Sequence, residues 1–210
     1  MGELLLVPWA IGIAYSSIPL FWFSIHPLAR RWQVLQRSPY RLLLPLWAVN
    51  IGALAAATWP WHSLRLHSSV WMWLPALFLI ALAIGIYRRI GPEFGLHNFS
   101  GESELRPQEH AQALVVTGLH ARMRHPIYIA HLCMFAGWTL GSGLLVNVVL
   151  LALSALVTFP LMIWLEEREL QSRFGEIFLE YKARVPLIPL LRLNARPIDA
   201  SGEKENRSQA

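Results

Sequence analysis

The feature that most constrains this chain is a series of long apolar runs separated by short polar segments. A helix needs about 20 apolar residues to cross the hydrocarbon core of a bilayer. Leu4–Ile25, Leu42–Trp61 and Leu144–Leu165 meet that length, and Val70–Tyr87 and Pro126–Leu140 are somewhat shorter. We therefore predict an all-α, polytopic membrane protein with about five transmembrane helices, a count that includes the two shorter runs.

Composition favours a membrane protein over a basic soluble one. Hydrophobic residues make up 55% of the chain and charged residues only 15%, whereas soluble domains carry about 25% charged residues. The net charge of +5 comes from Lys and Arg in short segments beside the apolar runs. Such a distribution sets the orientation of membrane proteins. We expect the lipid bilayer as a partner and no nucleic acid, and the oligomeric state stays open.

The basic residues alternate between the two sides of the predicted membrane. Lys and Arg number four after the first run, one after the second, five over residues 88–124, none in the turn Gly141–Gly143 and eight after Leu165. The positive-inside rule then places the N-terminus outside, and it places residues 88–124 and the C-terminal region in the cytoplasm.

Basic and acidic residues are expected to meet at the cytoplasmic end of the last two spans. The turn Gly141–Gly143 makes these spans a helical hairpin, which brings Arg124 and His125 near Glu166 and Glu167. A proline suits the first turn of a helix, and a helix start favours an anion. Two alternatives stay open: the basic residues anchor the helix at the interface, or the helix continues past two solvated glutamates.

The C-terminal region continues with a helical pattern. Apolar residues recur at helical spacing from Leu170 to Val185, which predicts an amphipathic helix that lies on the membrane or folds back over the loop before Pro126. Glu169 and Arg173 are spaced for an i,i+4 pair. We assign residues 1–193 to one membrane domain and residues 194–210 to a disordered tail.

Other motifs indicate packing rather than chemistry. Gly137 and Gly141 form a GxxxG motif, which predicts a close helix contact, and Pro160 predicts a kink because it lacks a backbone donor. The histidines are not arranged in a recognised metal-binding motif, so we expect no metal site.

Two blocks of sequence resemble a known family. Leu114-Val115, Gly118 and Arg124-His125-Pro126-Ile127-Tyr128 resemble the LV…G…RHPxY signature of the isoprenylcysteine carboxyl methyltransferase family, which is related to membrane phospholipid methyltransferases. Glu166-Glu167, Leu170, Phe174-Gly175 and the run from Tyr181 to Pro186 resemble the family's EExxL…FG…YxxYxxRVP block. The blocks lie in the family's order, are separated by a helical hairpin, and span roughly the C-terminal half.

The resemblance implies an integral membrane enzyme that transfers a methyl group from S-adenosylmethionine (SAM) to a lipophilic small-molecule acceptor, with a SAM-binding half over residues 105–190. The positions that it implies for SAM are Gln112, Ala113, Leu114, Val115, His120, His125, Pro126, Ile127, Tyr128 and Glu166. We add Arg124, at the helix start proposed for the methionyl carboxylate, and Glu167, the neighbour of Glu166. His120 is the candidate base if the acceptor is a thiol or an amine.

Some positions depart from the family pattern, and two other functions stay open. Met162 stands where prenylcysteine enzymes have a substrate-binding Arg, which argues against a prenylcysteine carboxylate as acceptor. Gln112 and His120 replace residues that are often His and Tyr, and Ala130 replaces a Gly. The alternatives are an NADPH-dependent membrane sterol or enone reductase and a non-enzymatic membrane scaffold. The bacterial inner membrane and the endoplasmic reticulum are both possible locations.

Overall fold

The computed structural model describes residues 3–34, 39–100, 105 and 113–188, and within these residues helices are the only regular secondary structure. An isolated antiparallel bridge joins Arg65 to Leu144. The predicted all-α fold class is therefore confirmed. Gln112 and the predicted tail over residues 194–210 lie outside the described residues.

The helices are α1 (Glu3–Phe23), α2 (Ala29–Val34), α3 (Tyr40–Thr58), α4 (Trp73–Ser100), α5 (Pro126–Ser142), α6 (Leu145–Leu153), α7 (Phe159–Phe174) and α8 (Glu176–Arg184). The longer connections between the helices are those from α3 to α4 and from α4 to α5. A short 3-10 turn, His26–Leu28, follows α1.

Four stretches are long and apolar enough to cross a membrane: Leu5–Leu28, Tyr40–Trp61, Val70–Pro92 and Leu145–Phe174. Many of their large apolar side chains, such as Val49 and Phe78, are exposed, which suits surfaces that face lipid rather than water. The protein is thus a multi-pass membrane protein. The remaining predicted span, α5, is a helix of 17 residues, about 26 Å long at 1.5 Å per residue.

Helix α4 is longer than the sequence suggests. We predicted this span over Val70–Tyr87, but the helix continues to Ser100, so the predicted end is wrong. Arg88 and Arg89 end the apolar run, yet Arg is a good helix former. The end of an apolar run therefore marks the end of the hydrophobic segment and not the end of the helix.

Helix α5 packs closely along α4, and its glycines make this possible. A Cβ atom on Gly137 would lie 2.7 Å from Cγ1 of Ile80 and 2.9 Å from the carbonyl oxygen of Ala76. A Cβ atom on Gly141 would lie 2.6 Å from the ring of Trp73. The predicted close contact of the GxxxG motif is confirmed, and α4 is the helix that it contacts.

Two connections meet at one end of the helices. Gly143 ends α5 with φ 66°, in the left-handed region, and its N–H donates to the carbonyl of Thr139 (2.9 Å). The N–H of Leu66 donates to Gly143 O (2.8 Å), and the N–H of Leu145 donates to Leu64 O (2.9 Å). The loop after α3 and the turn between α5 and α6 therefore lie together.

A π-helical segment, Ser154–Thr158, joins α6 to α7 immediately before Pro160. Proline cannot donate the hydrogen bond that a regular helix requires, and one wide turn is a common way to accommodate the missing donor. The irregularity predicted at Pro160 takes this form. Beyond it, α7 continues through the two glutamates to Phe174.

The C-terminal helix is divided rather than continuous. Gly175 (φ 55°, ψ −128°) separates α7 from α8, so the predicted single helix over Leu170–Val185 is wrong in this respect. Phe178, Tyr181 and Val185 are buried and pack against Leu114 and Val116. Helix α8 therefore covers the loop that precedes α5.

Candidate functional site

His125 joins the start of α5 to two carboxylates of α7. It caps α5 directly before Pro126, the first residue of that helix. Its Nε2 lies 3.2 Å from Oε1 of Glu167, and its Nδ1 lies 3.4 Å from Oε2 of Glu166. The hairpin thus brings the basic and acidic stretches into direct contact.

The imidazole of His125 carries a proton at neutral pH. Both of its nitrogens face a carboxylate oxygen, and only the protonated ring can donate from both. Burial by itself lowers the pKa of this buried ring, but the charges and hydrogen bonds of Glu166 and Glu167 outweigh that effect and raise the pKa to about 9. The site therefore holds an imidazolium between two carboxylates.

Glu167 is surrounded by cationic donors. Nε of Arg124 donates to Oε1 of Glu167 at 2.8 Å, and Nζ of Lys182 lies 2.7 Å from Oε2. Glu167 is only 8% exposed, so the alternative of two solvated glutamates is wrong, although the helix does continue past them. Because a buried charge is costly unless it is paired, the fold depends on these donors.

Arg124 also fastens α8 to the start of α5. Its Nη1 donates to the carbonyl oxygen of Val185 at 2.6 Å and to that of Lys182 at 3.3 Å. Its backbone N–H donates to Pro186 O at 3.1 Å. Much of the hydrogen-bonding capacity of this side chain is thus used within the protein.

Tyr128, in the first turn of α5, also binds Glu166. Its hydroxyl donates a short hydrogen bond to Oε2 of Glu166, and its ring is parallel to that of His125 with centroids 5.3 Å apart. On the membrane side Tyr128 packs against Phe159 and the fully buried Met162. The polar cluster therefore ends abruptly at an apolar layer.

The other predicted positions surround this cluster rather than join it. Ala113 is exposed, Val115 is half-buried, and Leu114 packs beneath α8. Pro126 is buried, and Ile127 packs partly against α4 and partly beside Tyr128. Their contacts with SAM stay predictions.

His120 lies beneath α8, close to the cluster. Its backbone carbonyl accepts a hydrogen bond from the hydroxyl of Tyr181 at 2.7 Å. Burial lowers the pKa of its imidazole to about 4, helped by the charge of His125 and opposed by that of Glu166. The ring is therefore neutral at physiological pH.

Sequence reasoning missed two residues at this site. Lys182 belongs to the second sequence block, but only the fold reveals that it binds Glu167. His26 follows the first span, and nothing in the sequence connects it with residues 140 positions away. In the structure its ring is 7% exposed, stacks on Trp22 and interacts electrostatically with Glu166.

The cluster has a surplus of positive charge. Arg124, His125 and Lys182 are cationic, and they face the carboxylates of Glu166 and Glu167. The start of α5 adds the positive end of a helix dipole. The arrangement can therefore receive an anionic group, while Glu166 can accept hydrogen bonds from hydroxyl or ammonium groups.

Comparison with known families gave one match. Residues 76–177 match the model of the family Phospholipid methyltransferase, and this range holds all of the cluster except Lys182. Comparison with curated proteins and comparison with solved structures gave no match. The family implies a membrane methyltransferase, and methyltransferases of this kind generally use SAM.

Proposed function

We propose that the protein, whose residues 76–177 match the phospholipid methyltransferase family model, transfers a methyl group from SAM to a lipophilic acceptor held in the bilayer. The observation that carries this proposal is the contact of His125 with both Glu166 and Glu167 at one end of the membrane helices. SAM supplies an electrophilic methyl group, so the protein has mainly to bind and position two reactants.

The start of α5 is the proposed site for the methionyl carboxylate. The backbone N–H groups of Ile127 and Tyr128 precede the first intrahelical hydrogen bond, from Ile129 N to His125 O (3.4 Å). Helix starts of this kind bind anions, and the surplus positive charge of the cluster assists them. Arg124 contributes its charge here, while its hydrogen bonds hold Glu167 and α8 in place.

Glu166 is the proposed partner of the ribose hydroxyls or of the amino group of SAM. Tyr128 and His125 both hold its Oε2, which fixes the orientation of the carboxylate before a ligand binds. Glu167 is engaged by three cations, so we assign it a supporting role: it holds His125 and Arg124.

The loop before α5 is the proposed wall of the adenosine site. Leu114 packs beneath α8, Ala113 and Val115 adjoin it in the chain, and His120 interacts electrostatically with His125 and Glu166. Gln112, which lies outside the described residues, stays a predicted SAM contact.

We further propose five spans, with the N-terminus outside and the site at the cytoplasmic face. Helix α5 starts at the cluster and ends beside the loop that follows α3. It therefore extends from one end of the long helices to the other, although it has only 17 residues. The acceptor would enter sideways between spans. The buried Met162 beneath Tyr128 offers no cation for a prenylcysteine carboxylate.

A transfer assay tests this function. Purified protein is incubated with methyl-labelled SAM and fractionated membrane lipids, and labelled products are identified by mass. We expect label in a lipid fraction and a measurable affinity for SAM. Binding of NADPH without binding of SAM would favour a reductase, and SAM binding without any labelled lipid would contradict transfer to a bilayer acceptor.

A further inference from the structure

His26 is a buried polar side chain whose ring nitrogens have no hydrogen-bond partner in the part of the chain that the structure describes. It is 7% exposed, and neither Nδ1 nor Nε2 has a hydrogen-bond partner among the described residues. Buried polar atoms are almost always satisfied in folded proteins, and exceptions point to a missing water, ion or ligand. A group outside the described residues, such as a bound ligand, is therefore expected to complete the hydrogen bonds of this residue.

The position of His26 connects it with the methyl-transfer site. The turn His26–Leu28 packs against α7, and the imidazole interacts electrostatically with Glu166, Glu169 and Arg173 of that helix and with His125 of the loop. Its ring stacks on Trp22 with centroids 5.2 Å apart. Trp22 in turn packs beside Tyr128, in the apolar layer on the membrane side of the cluster.

His26 and His120 both interact electrostatically with Glu166, but they belong to different segments of the chain. His120 belongs to the loop before α5, and its backbone is tied to α8 through Tyr181. His26 lies at the end of the stretch Leu5–Leu28, which is apolar enough to cross the membrane. An acceptor that enters from the bilayer would therefore meet His26 without passing through the polar loop.

We propose that His26 is a catalytic residue that binds the acceptor and receives its proton, a role that rests on the methyltransferase function proposed above. The acceptor is then a membrane-partitioned amine or thiol, whose nucleophilic atom carries a hydrogen. Its lone pair forms the new bond to the methyl carbon as the bond from that carbon to the sulfonium sulfur breaks. The sulfur keeps the bonding pair and becomes a thioether, and the N–H or S–H proton passes to the imidazole of His26.

The first test separates methyl transfer from donor binding. His26→Gln and His120→Gln are compared with the wild type for SAM affinity and for the rate of methyl transfer to a membrane lipid extract. We expect His26→Gln to keep its SAM affinity within about threefold and to lose at least about 100-fold in rate, the size of a general base contribution. Because His120 lies beside the proposed adenosine site, we expect His120→Gln to change the SAM affinity while the transfer rate keeps its rise with pH.

The pH profile distinguishes a base from a residue that only positions others. In the wild type the transfer rate should rise tenfold per pH unit below the pKa of the base, and His26→Gln should abolish that rise. A rise that persists in His26→Gln, a His26→Gln rate near that of the wild type, or a loss confined to His120→Gln would overturn the proposal. No transfer by SAM-bound wild type would overturn the methyltransferase function itself.

A second test needs no turnover. Because His26 has no hydrogen bond to lose within the described residues, replacing it by the similarly flat Phe should leave the melting temperature and the SAM affinity essentially unchanged while transfer is lost. A large drop in melting temperature would show that the imidazole is bonded within the protein. Loss of SAM binding would place His26 on the donor side. Either result overturns the assignment.

Discussion

At the scale of single residues, His125 determines the charge of the candidate site. It contacts both glutamates, and its positive charge makes each contact an ion pair. Without the proton that carries this charge, the carboxylate of Glu166, which lies beside the apolar layer at Tyr128, would lose a positively charged partner. The stability of the cluster should therefore depend on pH.

The sign of this pH dependence follows from the raised pKa. The pKa of His125 is about 9 in the folded protein and about 6.5 in an unfolded chain, so the folded state holds the proton more tightly. The resulting stabilisation, on the order of 3 kcal/mol, is complete below about pH 6.5 and is lost as the pH rises through about 9.

Unfolding free energies of the wild type and of His125→Gln, measured in detergent from pH 6 to pH 10, test this expectation. The difference between the two proteins should be largest at low pH and should shrink steadily towards pH 10. A difference that stays constant over this range would show that His125 is neutral in the folded protein.

At the scale of helices, α5 organises the site because it contacts α4 along its length and α8 at its start. Its register against α4 is set by two glycines, and its start is held by Arg124. The pattern of the sequence predicted the close glycine contact. It could not identify α4 as the partner, because the tertiary fold determines which helix packs against the two glycines.

Gly137→Ala should destabilise the contact between α4 and α5. The new Cβ atom would lie 2.9 Å from a backbone carbonyl, that of Ala76, so the helices must separate, at a cost of about 1–3 kcal/mol. Gly52→Ala is the matched control, because nothing lies within 4 Å of its Cβ position in α3. It should be neutral or stabilise by up to about 1 kcal/mol. Equal unfolding free energies for the two variants would contradict the packing described.

Arg124→Ala should release α8. The change leaves Glu167 with fewer cations and removes the donor to Val185 O, and breaking a buried ion pair costs about 3–5 kcal/mol. Faster proteolysis in the segment after Gly175 and a lower unfolding free energy are expected. Arg122→Ala, at an exposed neighbouring position, should change stability by less than about 0.5 kcal/mol. Similar behaviour of the two variants would argue against this role of Arg124.

At the scale of the whole molecule, the connections separate into two groups. The loop after α3 and the turn at Gly143 are hydrogen-bonded at one end, whereas the His26–Leu28 turn, the loop before α5 and helix α8 gather around Glu166 and Glu167 at the other. This separation matches the alternation of Lys and Arg along the chain, which supports the proposed cytoplasmic location of the cluster.

Cysteine labelling tests that orientation. With Cys133 replaced by Ser, a cysteine introduced at Ser68, in the exposed loop after α3, should react with a membrane-impermeant maleimide on intact cells. A cysteine introduced at Glu180, 72% exposed on α8, should react only after the cells are opened. The reverse pattern would invert the topology.

The sequence revealed part of this arrangement and could not reveal the rest. The juxtaposition of Arg124 and His125 with the two glutamates was predictable, because a three-residue turn forces neighbouring antiparallel helices. The extension of α4 to Ser100 and the break at Gly175 could not be predicted in this way. The hydrophobicity of a segment indicates whether it avoids water, but it does not show where a helix begins or ends. His26 and Lys182 were missed as site residues because contacts between distant segments depend on tertiary packing that one sequence does not display.

The most direct test of the account is the affinity of purified protein for SAM, measured by calorimetry for the wild type, Glu166→Ala and Glu180→Ala. Loss of the Glu166 carboxylate would remove its proposed hydrogen bonds to SAM and leave His125 with one carboxylate, so we expect binding about 100-fold weaker. Glu180, paired only with Arg184 on the exposed face of α8 among the described residues, should be replaceable without loss. Undiminished affinity in Glu166→Ala, or no affinity in the wild type, would contradict the central claim that this cluster holds the methyl donor.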